Sequence, residues 1–119
     1  MMVRTHRDLN VWKESMNLVK QVYSLTQSFP KEEIYGLVSQ MKRAAVSIPT
    51  NIAEGAARSS SMDFVRFLYI AMGSLAELET QMLLSRELGF TENSEIDEGI
   101  DQIRKMLIGL IKSLRKRNE

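Results

Sequence analysis

The sequence predicts an all-α protein that folds as a single up-down-up-down antiparallel four-helix bundle. Apolar residues recur at three- and four-residue steps through four long segments, which is the period of an amphipathic helix. Only two prolines and six glycines are scattered through the chain, too few breakers for an all-β protein. Short connections join the segments, and short connections favour antiparallel neighbours. The length of 119 residues suits one core, so we expect a single domain over residues 1–119.

The first predicted helix, about residues 8–28, carries two apolar stripes side by side. One stripe consists of Leu9, Trp12, Met16, Val19 and Tyr23. The other consists of Val11, Leu18, Val22, Leu25 and Phe29. An apolar arc of this width predicts contact with more than one neighbour. Trp12 and Tyr23 are therefore candidate contacts with a second subunit.

The second predicted helix, about residues 31–57, contains Pro49 in its interior. Because proline lacks a backbone donor and its ring crowds the preceding turn, we expect this helix to be kinked or broken near Pro49. The carbonyl of Ala45 would then lack its helical donor. Glu32 and Glu33 stand in the predicted first turn, where the helix dipole favours acidic side chains.

The third and fourth predicted helices, about residues 62–88 and 94–117, each show a heptad-like seam with steps of four and three residues. The seam of the third helix is Phe64, Leu68, Ala71, Leu75, Leu78 and Met82. The seam of the fourth helix is Ile96, Ile100, Ile103, Leu107, Leu110 and Leu114. Ser60 or Ser61 is the candidate N-cap of the third helix, and Gly89 is its candidate C′ residue.

The predicted topology gathers positive charge at one end of the bundle, which we name the basic pole. The first and third helices start there, and the second and fourth end there. Its basic residues are Arg4, His6, Arg7, Arg58, Arg66, Arg115, Lys116 and Arg117. Since the net charge is only +1, this clustering is a candidate phosphate-binding surface, to which we assign Arg4, Arg7, Arg58, Arg66, Arg115, Lys116 and Arg117. For the fourth helix alone, complementarity with the helix dipole is the alternative explanation.

A polar stripe runs along the second helix if that helix continues through Pro49. It consists of Arg43, Ser47, Asn51, Glu54 and Arg58. The stripe is either a solvated face or a helix–helix or subunit interface, in which Arg43 or Arg58 would pair with Glu54 or Glu77. The candidate interface residues are Trp12, Tyr23, Arg43, Ser47, Asn51, Glu54 and Glu77.

The chain offers no recognisable active site. It has no cysteine and one histidine, His6, which precedes the first predicted helix. It contains no phosphate-binding loop, nucleophile elbow or zinc spacing, and a bundle di-iron site would need histidines that it lacks. We therefore expect a non-enzymatic protein without metal or cofactor. The absence of cysteine and of any stretch of roughly 18 apolar residues predicts a cytoplasmic protein with no membrane partner.

Seven segments of the chain resemble one known family. They are Leu9-Asn-Val-Trp12, Ser28-Phe-Pro30, Tyr35-Gly-Leu-Val-Ser-Gln40, Arg43-Ala-Ala-Val-Ser-Ile-Pro49, Asn51-Ile-Ala-Glu-Gly55, Phe67-Leu-Tyr-Ile-Ala71 and Gly73-Ser-Leu-Ala-Glu-Leu-Glu-Thr-Gln81. Together they are similar to the bacterial four-helix bundle proteins encoded in intervening sequences of 23S ribosomal RNA genes, a fold shared by the accessory variability determinant protein of diversity-generating retroelements. The resemblance spans nearly the whole chain. It implies a four-helix bundle, a homopentameric barrel and a role near nucleic acid, and it brings no catalytic residues.

Two functional hypotheses follow. The first is an oligomeric protein, encoded in or related to 23S rRNA intervening sequences, that binds RNA or DNA through the basic pole. The second is a structural or adaptor module, for example for a nucleic-acid enzyme, that does not itself bind nucleic acid. Salt-dependent binding separates them, because phosphate neutralisation makes affinity fall steeply with salt concentration.

Overall fold

The computed structural model describes His6 and residues 9–117, which form four α-helices and a short 3₁₀ turn. The helices are α1 (Asn10–Thr26), α2 (Leu37–Ala56), α3 (Ser61–Glu87) and α4 (Glu95–Arg117), and the turn is Lys31–Glu33. No strand occurs in this part of the chain, so the all-α prediction is confirmed. None of the described helices is long and apolar enough to span a membrane.

The helices pack in a ring, in which each contacts its sequence neighbours and α1 also contacts α4. Neighbours run antiparallel, as contacts between α2 and α3 show. Ser85 lies against Met41 near one end of α2. Gly55, near the other end of α2, lies against Phe64. The result is the predicted antiparallel four-helix bundle, 48 Å long and 21 by 19 Å across.

The two heptad seams form much of the core. Every predicted seam residue of α3 is buried, because both helices turn their four–three pattern inward. On α4 the seam shifts at one level, where Ile111 is buried and Leu110 is only partly buried. The shift is expected because an α-helix with 3.6 residues per turn drifts relative to a strict seven-residue repeat.

The two stripes of α1 divide between the core and the surface. Val11, Leu18 and Val22 of the second stripe are buried in the core of their own bundle. In the first stripe, by contrast, Met16 and Tyr23 are 37% and 43% exposed. One chain therefore leaves part of the apolar arc of α1 without a partner.

The second helix begins later than predicted. Residues 31–33 form a 3₁₀ turn, and α2 starts only at Leu37. Gly36 interrupts the helix because its φ of −109° and ψ of −111° lie outside the helical region. The Glu33 carboxylate accepts a hydrogen bond of 3.3 Å from the N–H of Leu37, so this acid stabilises the start of α2 from outside it.

The helix α2 runs without interruption from Leu37 to Ala56 with Pro49 inside it, so the predicted break is wrong. Pro49 is buried, and its packing offsets part of the cost of an interior proline. Nearby, the Thr50 hydroxyl donates a hydrogen bond of 2.8 Å to the carbonyl of Val46. A bend at Pro49 stays a prediction.

Both predicted ends of α3 are confirmed. The side chain of Ser60 accepts a hydrogen bond of 3.1 Å from the N–H of Asp63, as an N-cap does. Gly89 has a φ of +78°. The N–H of Phe90 donates to the carbonyl of Ser85 at 2.9 Å, which completes a Schellman motif around Gly89.

Candidate nucleic-acid interface

The basic pole is assembled where α2 ends, α3 begins and α4 ends. Arg58 follows α2, and Arg66 lies on the second turn of α3. Both lie over the ring of Phe67, with guanidinium carbons 4.7 and 5.6 Å from the ring centroid. Arg115 of α4 lies over Tyr69, at 5.4 Å. The fold thus brings three of the predicted arginines to one end of the bundle, each against an aromatic ring.

The remaining residues assigned to the basic pole are placed only in part. Arg4 and Arg7 lie outside the described residues. Lys116 and Arg117 are exposed on the last turn of α4. His6 is described, and its ring meets Trp12 edge-on with centroids 5.0 Å apart.

Arg58, Arg66 and Arg115 form no close ion pair in the part of the chain that the structure describes. Among residues 9–117, Arg58 and Arg115 form no ion pair, and Arg66 has only a distant one, 4.0 Å from Asp63. A cation–π contact places the guanidinium over the face of the aromatic ring, whereas a phosphate binds through hydrogen bonds from the guanidinium N–H groups. Within residues 9–117, these three arginines thus lie against aromatic rings, and no carboxylate lies closer than 4.0 Å to their guanidinium groups.

Two arginines outside the basic pole serve the bundle instead. Arg86 of α3 approaches the carboxylate of Asp97 to 3.1 Å. Arg104 of α4 donates to Glu79 at 2.7 Å and to Asp101 at 2.8 Å. The pairs with Asp97 and Glu79 join α3 to α4, and the pair with Asp101 lies within α4. The donors of these two guanidinium groups are therefore already bound. Arg86 and Arg104 thus stabilise the bundle through ion pairs, whereas Arg58 and Arg115 form none within residues 9–117.

A family model described as 23S rRNA-intervening sequence protein matches residues 7–110. The chain belongs to this family. The match covers α1, α2, α3 and most of α4, including the Arg58, Phe67 and Arg66 group. It ends before Arg115, Lys116 and Arg117. Comparison with curated proteins gives no match.

In this member of the 23S rRNA-intervening sequence protein family, the predicted polar stripe of α2 is divided between different surroundings. Ser47 shares a hydrogen bond of 2.8 Å with Ser74 of α3. Asn51 donates to the Ser47 hydroxyl at 2.9 Å. Ser47 and Asn51 thus belong to the α2–α3 contact inside one bundle, where polar groups need partners. Both side chains are only partly buried, and Ser47 also lines the cleft beside Arg43, so their part in a subunit interface stays a prediction.

Arg43 and Glu77 line an open cleft of about 290 Å³ between α2 and α3. Both are exposed, and within residues 9–117 no ion pair joins Arg43 or Arg58 to Glu54 or Glu77. Nearby, the amide of Gln81 approaches Glu77 only to 3.5 Å. The ion pairs considered for this stripe are therefore absent from the single chain.

Trp12 and Glu54 line an apolar groove of about 440 Å³ between α1 and α2, with Met16, Val19, Val46, Pro49, Thr50 and Ala53. We name this the α1–α2 groove. It leads into a second depression of about 450 Å³ beside Tyr23, which also holds Val46 and Thr50. Lys42 lies over the Tyr23 ring, with its amino nitrogen 4.7 Å from the centroid. The predicted interface residues Trp12, Tyr23 and Glu54 thus border one continuous surface.

The sequence reasoning missed an apolar surface on the opposite corner of the bundle. We name it the α3 outer face, and it consists of the exposed residues Met62, Tyr69, Ile70, Gly73, Ala76, Leu83 and Leu84. The signal was present, because α3 is apolar around most of its circumference, which a helix with one buried face does not require. The contacts of Phe67 and Tyr69 with the arginines were also not predicted, because they depend on how the helices pack.

The described residues hold no group of three or more His, Asp or Glu side chains placed to bind a metal ion. The chemistry that the basic pole can perform is the binding of anions through guanidinium and amino groups.

Proposed function

We propose that this protein is a non-enzymatic, homo-oligomeric helical bundle that binds nucleic acid through its basic pole. The observation that supports the proposal most strongly is the division among the arginines. Arg86 and Arg104 are engaged by carboxylates, whereas Arg58, Arg66 and Arg115 lie against rings and, within residues 9–117, have no carboxylate closer than 4.0 Å. Cationic side chains of this kind bind phosphates, and a nucleic-acid strand presents phosphates in series.

Equilibrium binding at varied salt tests the nucleic-acid part. We expect a labelled 20-base-pair RNA duplex to bind at low salt, with affinity falling linearly against salt on logarithmic axes. The double variant Arg58→Gln with Arg66→Gln should bind more weakly and with a shallower slope. Its matched control is Lys20→Gln with Lys105→Gln, which removes the same charge from exposed positions on the sides of the bundle. Equal weakening by both pairs would show a net-charge effect and contradict a specific pole.

The homo-oligomer is supported by two unpartnered apolar surfaces on different sides of one chain. The α1–α2 groove is concave, and the α3 outer face is a convex helix surface. Extended exposed apolar surfaces are typical of interaction sites. Binding of the outer face of one copy in the groove of the next gives a heterologous contact, which closes into a ring when its rotation allows.

Charge complementarity favours parallel bundle axes in that contact. Along α2, Arg43 lies toward the end opposite the basic pole and Glu54 lies near the pole. Along α3, the acids Glu77 and Glu87 lie far from the pole, at the level of Arg43. Parallel copies place opposite charges at the same level, whereas antiparallel copies oppose like charges, which costs free energy. Parallel axes also place every basic pole on one side of the ring.

Single cysteines test this arrangement, since the chain contains none of its own. Thr50→Cys marks the groove, and Gly73→Cys marks the outer face at a position with open space. With a short bis-maleimide, mixing the two variants should give a cross-linked dimer that neither variant gives alone. Cross-linking of Thr50→Cys to itself would indicate a two-fold dimer instead. A chain with both substitutions should give a ladder that counts the subunits, and the family resemblance predicts five.

Light scattering behind size exclusion at micromolar concentration supplies the independent test of assembly. A single species with the mass of a monomer would contradict the oligomer, and the apolar surfaces would then need another binding partner. Separately, a parent protein that binds no nucleic acid at low salt would favour the second hypothesis. The apolar groove would then support a structural or adaptor module for a protein partner, such as a nucleic-acid enzyme.

A further inference from the structure

We propose that Phe67 positions Arg58 and Arg66 as a two-arginine clamp for neighbouring phosphates, so that the protein recognises the nucleic-acid backbone and reads no base. This inference rests on the proposed function and specifies the ligand chemistry of the same pole. It makes Phe67 a positioning residue, since the residues that touch the ligand are the two arginines.

The clamp originates in a close contact between α2 and α3. Gly55 of α2 faces α3 so closely that an added Cβ would lie 2.8 Å from Cβ of Phe67 and 2.9 Å from Cδ1 of Phe64. Only glycine allows this approach without displacement of the aromatic side chains. Phe67 is thereby held at the junction of the two helices, and only 8% of its surface is exposed.

Arg58 and Arg66 reach the Phe67 ring from different helix ends. Arg58 lies just beyond α2, and Arg66 precedes Phe67 in α3. Both guanidinium groups lie within 6 Å of one ring centroid, at 4.7 and 5.6 Å, so one ring contacts two positive charges. Both residues are exposed, which leaves their N–H edges open to solvent and to a ligand. A nucleic-acid strand presents its phosphates as a series of negative charges, so a pair of arginines can contact neighbouring phosphates.

The same geometry leaves the Phe67 ring unavailable for stacking with a base. Bases bind single-strand proteins by stacking on exposed aromatic faces. The Phe67 ring is buried, and two arginines lie against it. Tyr69 is more exposed, but Arg115 lies over its ring. The aromatic rings therefore support cations and do not present stacking platforms.

Phe67→Leu tests the positioning role, and Phe64→Leu is its matched control. The two phenylalanines are equally exposed, at 8%, and both contact Gly55, but arginines lie only over Phe67. We expect Phe67→Leu to weaken duplex binding by about twofold to tenfold per arginine, because each side chain must then be ordered on binding. The salt slope should remain close to that of the parent, since both charges are still present. Phe67→Tyr should restore affinity, because its ring also supports a cation.

Arginine variants give the complementary result. Arg58→Gln and Arg66→Gln should each lower the magnitude of the salt slope on duplex DNA by about 0.9, the increment for one phosphate contact. Twenty-nucleotide poly(A) and poly(U) should bind the parent within about threefold of each other, because phosphate contacts weaken or strengthen all sequences alike. Inorganic polyphosphate of similar length should compete and show the same dependence on Phe67.

The possible failures are distinguishable. Equal weakening by Phe64→Leu and Phe67→Leu, with circular dichroism showing both folded, would overturn the clamp and leave the proposed function intact. So would a large preference for one homopolymer. Binding of polyphosphate without binding of RNA or DNA would keep the clamp and overturn the nucleic-acid function. A parent that binds none of these probes would overturn both.

Discussion

Ser47 of α2 and Ser74 of α3 share a hydrogen bond of 2.8 Å between their hydroxyl groups. Asn51 extends it by donating to the Ser47 hydroxyl and to the Ser47 carbonyl. This partly buried network lies between two helices with small residues at their contact, and it satisfies polar groups that would otherwise be desolvated without partners. It therefore belongs to the stability of the single bundle.

Replacing Ser47 by alanine should lower the free energy of unfolding by about 1–2 kcal/mol, since both Ser74 and Asn51 lose a partner. The double variant with Ser74→Ala should cost less than the sum of the single changes, because the second change removes a hydroxyl that is already unpaired. Urea unfolding measures both quantities. The control is Ser113→Ala, on the exposed face of α4, which should change stability by at most about 0.5 kcal/mol. Strict additivity of the two serine changes would contradict a shared hydrogen bond.

Gly55→Ala should destabilise the protein by about 1–3 kcal/mol, as expected for overpacking. The new Cβ would lie 2.8 Å from Phe67 and 3.2 Å from the carbonyl of Phe64, which outweighs the better helix propensity of alanine. Gly73→Ala and Gly109→Ala are the controls, since nothing lies within 4 Å of either added Cβ. Both should gain up to about 1 kcal/mol. Thermal melting of the three variants gives the comparison, and a stabilised Gly55→Ala would refute the close approach.

Pro49→Ala should raise the free energy of unfolding by about 1–2 kcal/mol. An interior proline is about 3 kcal/mol worse than alanine, and loss of the buried ring offsets part of that gain. The new N–H at position 49 can donate to the carbonyl of Ala45. Hydrogen exchange at this amide and urea unfolding check the prediction. A net loss of stability would mean that packing of the Pro49 ring dominates. The predicted bend is tested by the angle between the axes of 37–48 and 50–56 in an experimental structure.

Arg104→Gln should reduce stability by about 0.5–1 kcal/mol, the range of partly exposed ion pairs, because it removes contacts with both Glu79 and Asp101. The loss should shrink in 1 M NaCl, since salt screens the pairs. Lys105→Gln is the matched control, and its side chain forms no ion pair among the described residues. A difference between the two variants that does not change with salt would indicate lost packing by the Arg104 stem.

Replacing Arg115, Lys116 and Arg117 together by glutamine should leave folding nearly intact, because each exposed charge contributes only about 0–1 kcal/mol. Binding to nucleic acid at low salt should weaken, and the salt slope should become shallower. Circular dichroism melting and fluorescence anisotropy measure the two properties on the same samples. A large fall in melting temperature with unchanged binding would show that these residues stabilise the end of α4 and do not bind the ligand.

The seams of α3 and α4 show how much of the fold could be predicted from sequence. A four–three pattern is a local property, since it depends only on the spacing of apolar residues along one helix. Ser60 and Gly89 were predictable for the same reason, because caps act on the neighbouring turn. The start of α2 was not, because acids and apolar residues continue the helical pattern from Lys31 while the backbone of Gly36 leaves the helix.

The position of the candidate site in the bundle was predictable from the sequence, but the contacts between its side chains were not. Helix order alone placed Arg58, Arg66 and Arg115 at one pole. The contact of Phe67 with the arginines could not be predicted. Its ring lies under arginines from two different helix ends, and it packs closely against Gly55 of α2. Spacing alone predicts that the polar stripe is either a solvated face or an interface. In the structure, Ser47 bonds to Ser74 across the α2–α3 contact and to Asn51, whereas Glu54 borders the groove.

The sequence by itself determined the helical class, the antiparallel order and the end of the bundle at which positive charge collects, because periodicity, capping and short connections act over a few residues. Tertiary structure decided which stripe of α1 enters the core. It also decided which arginines are bound by carboxylates, as Arg104 is, and which lie against aromatic rings, as Arg58 does. Such choices depend on distances between side chains far apart in the chain, which exist only once the helices have packed.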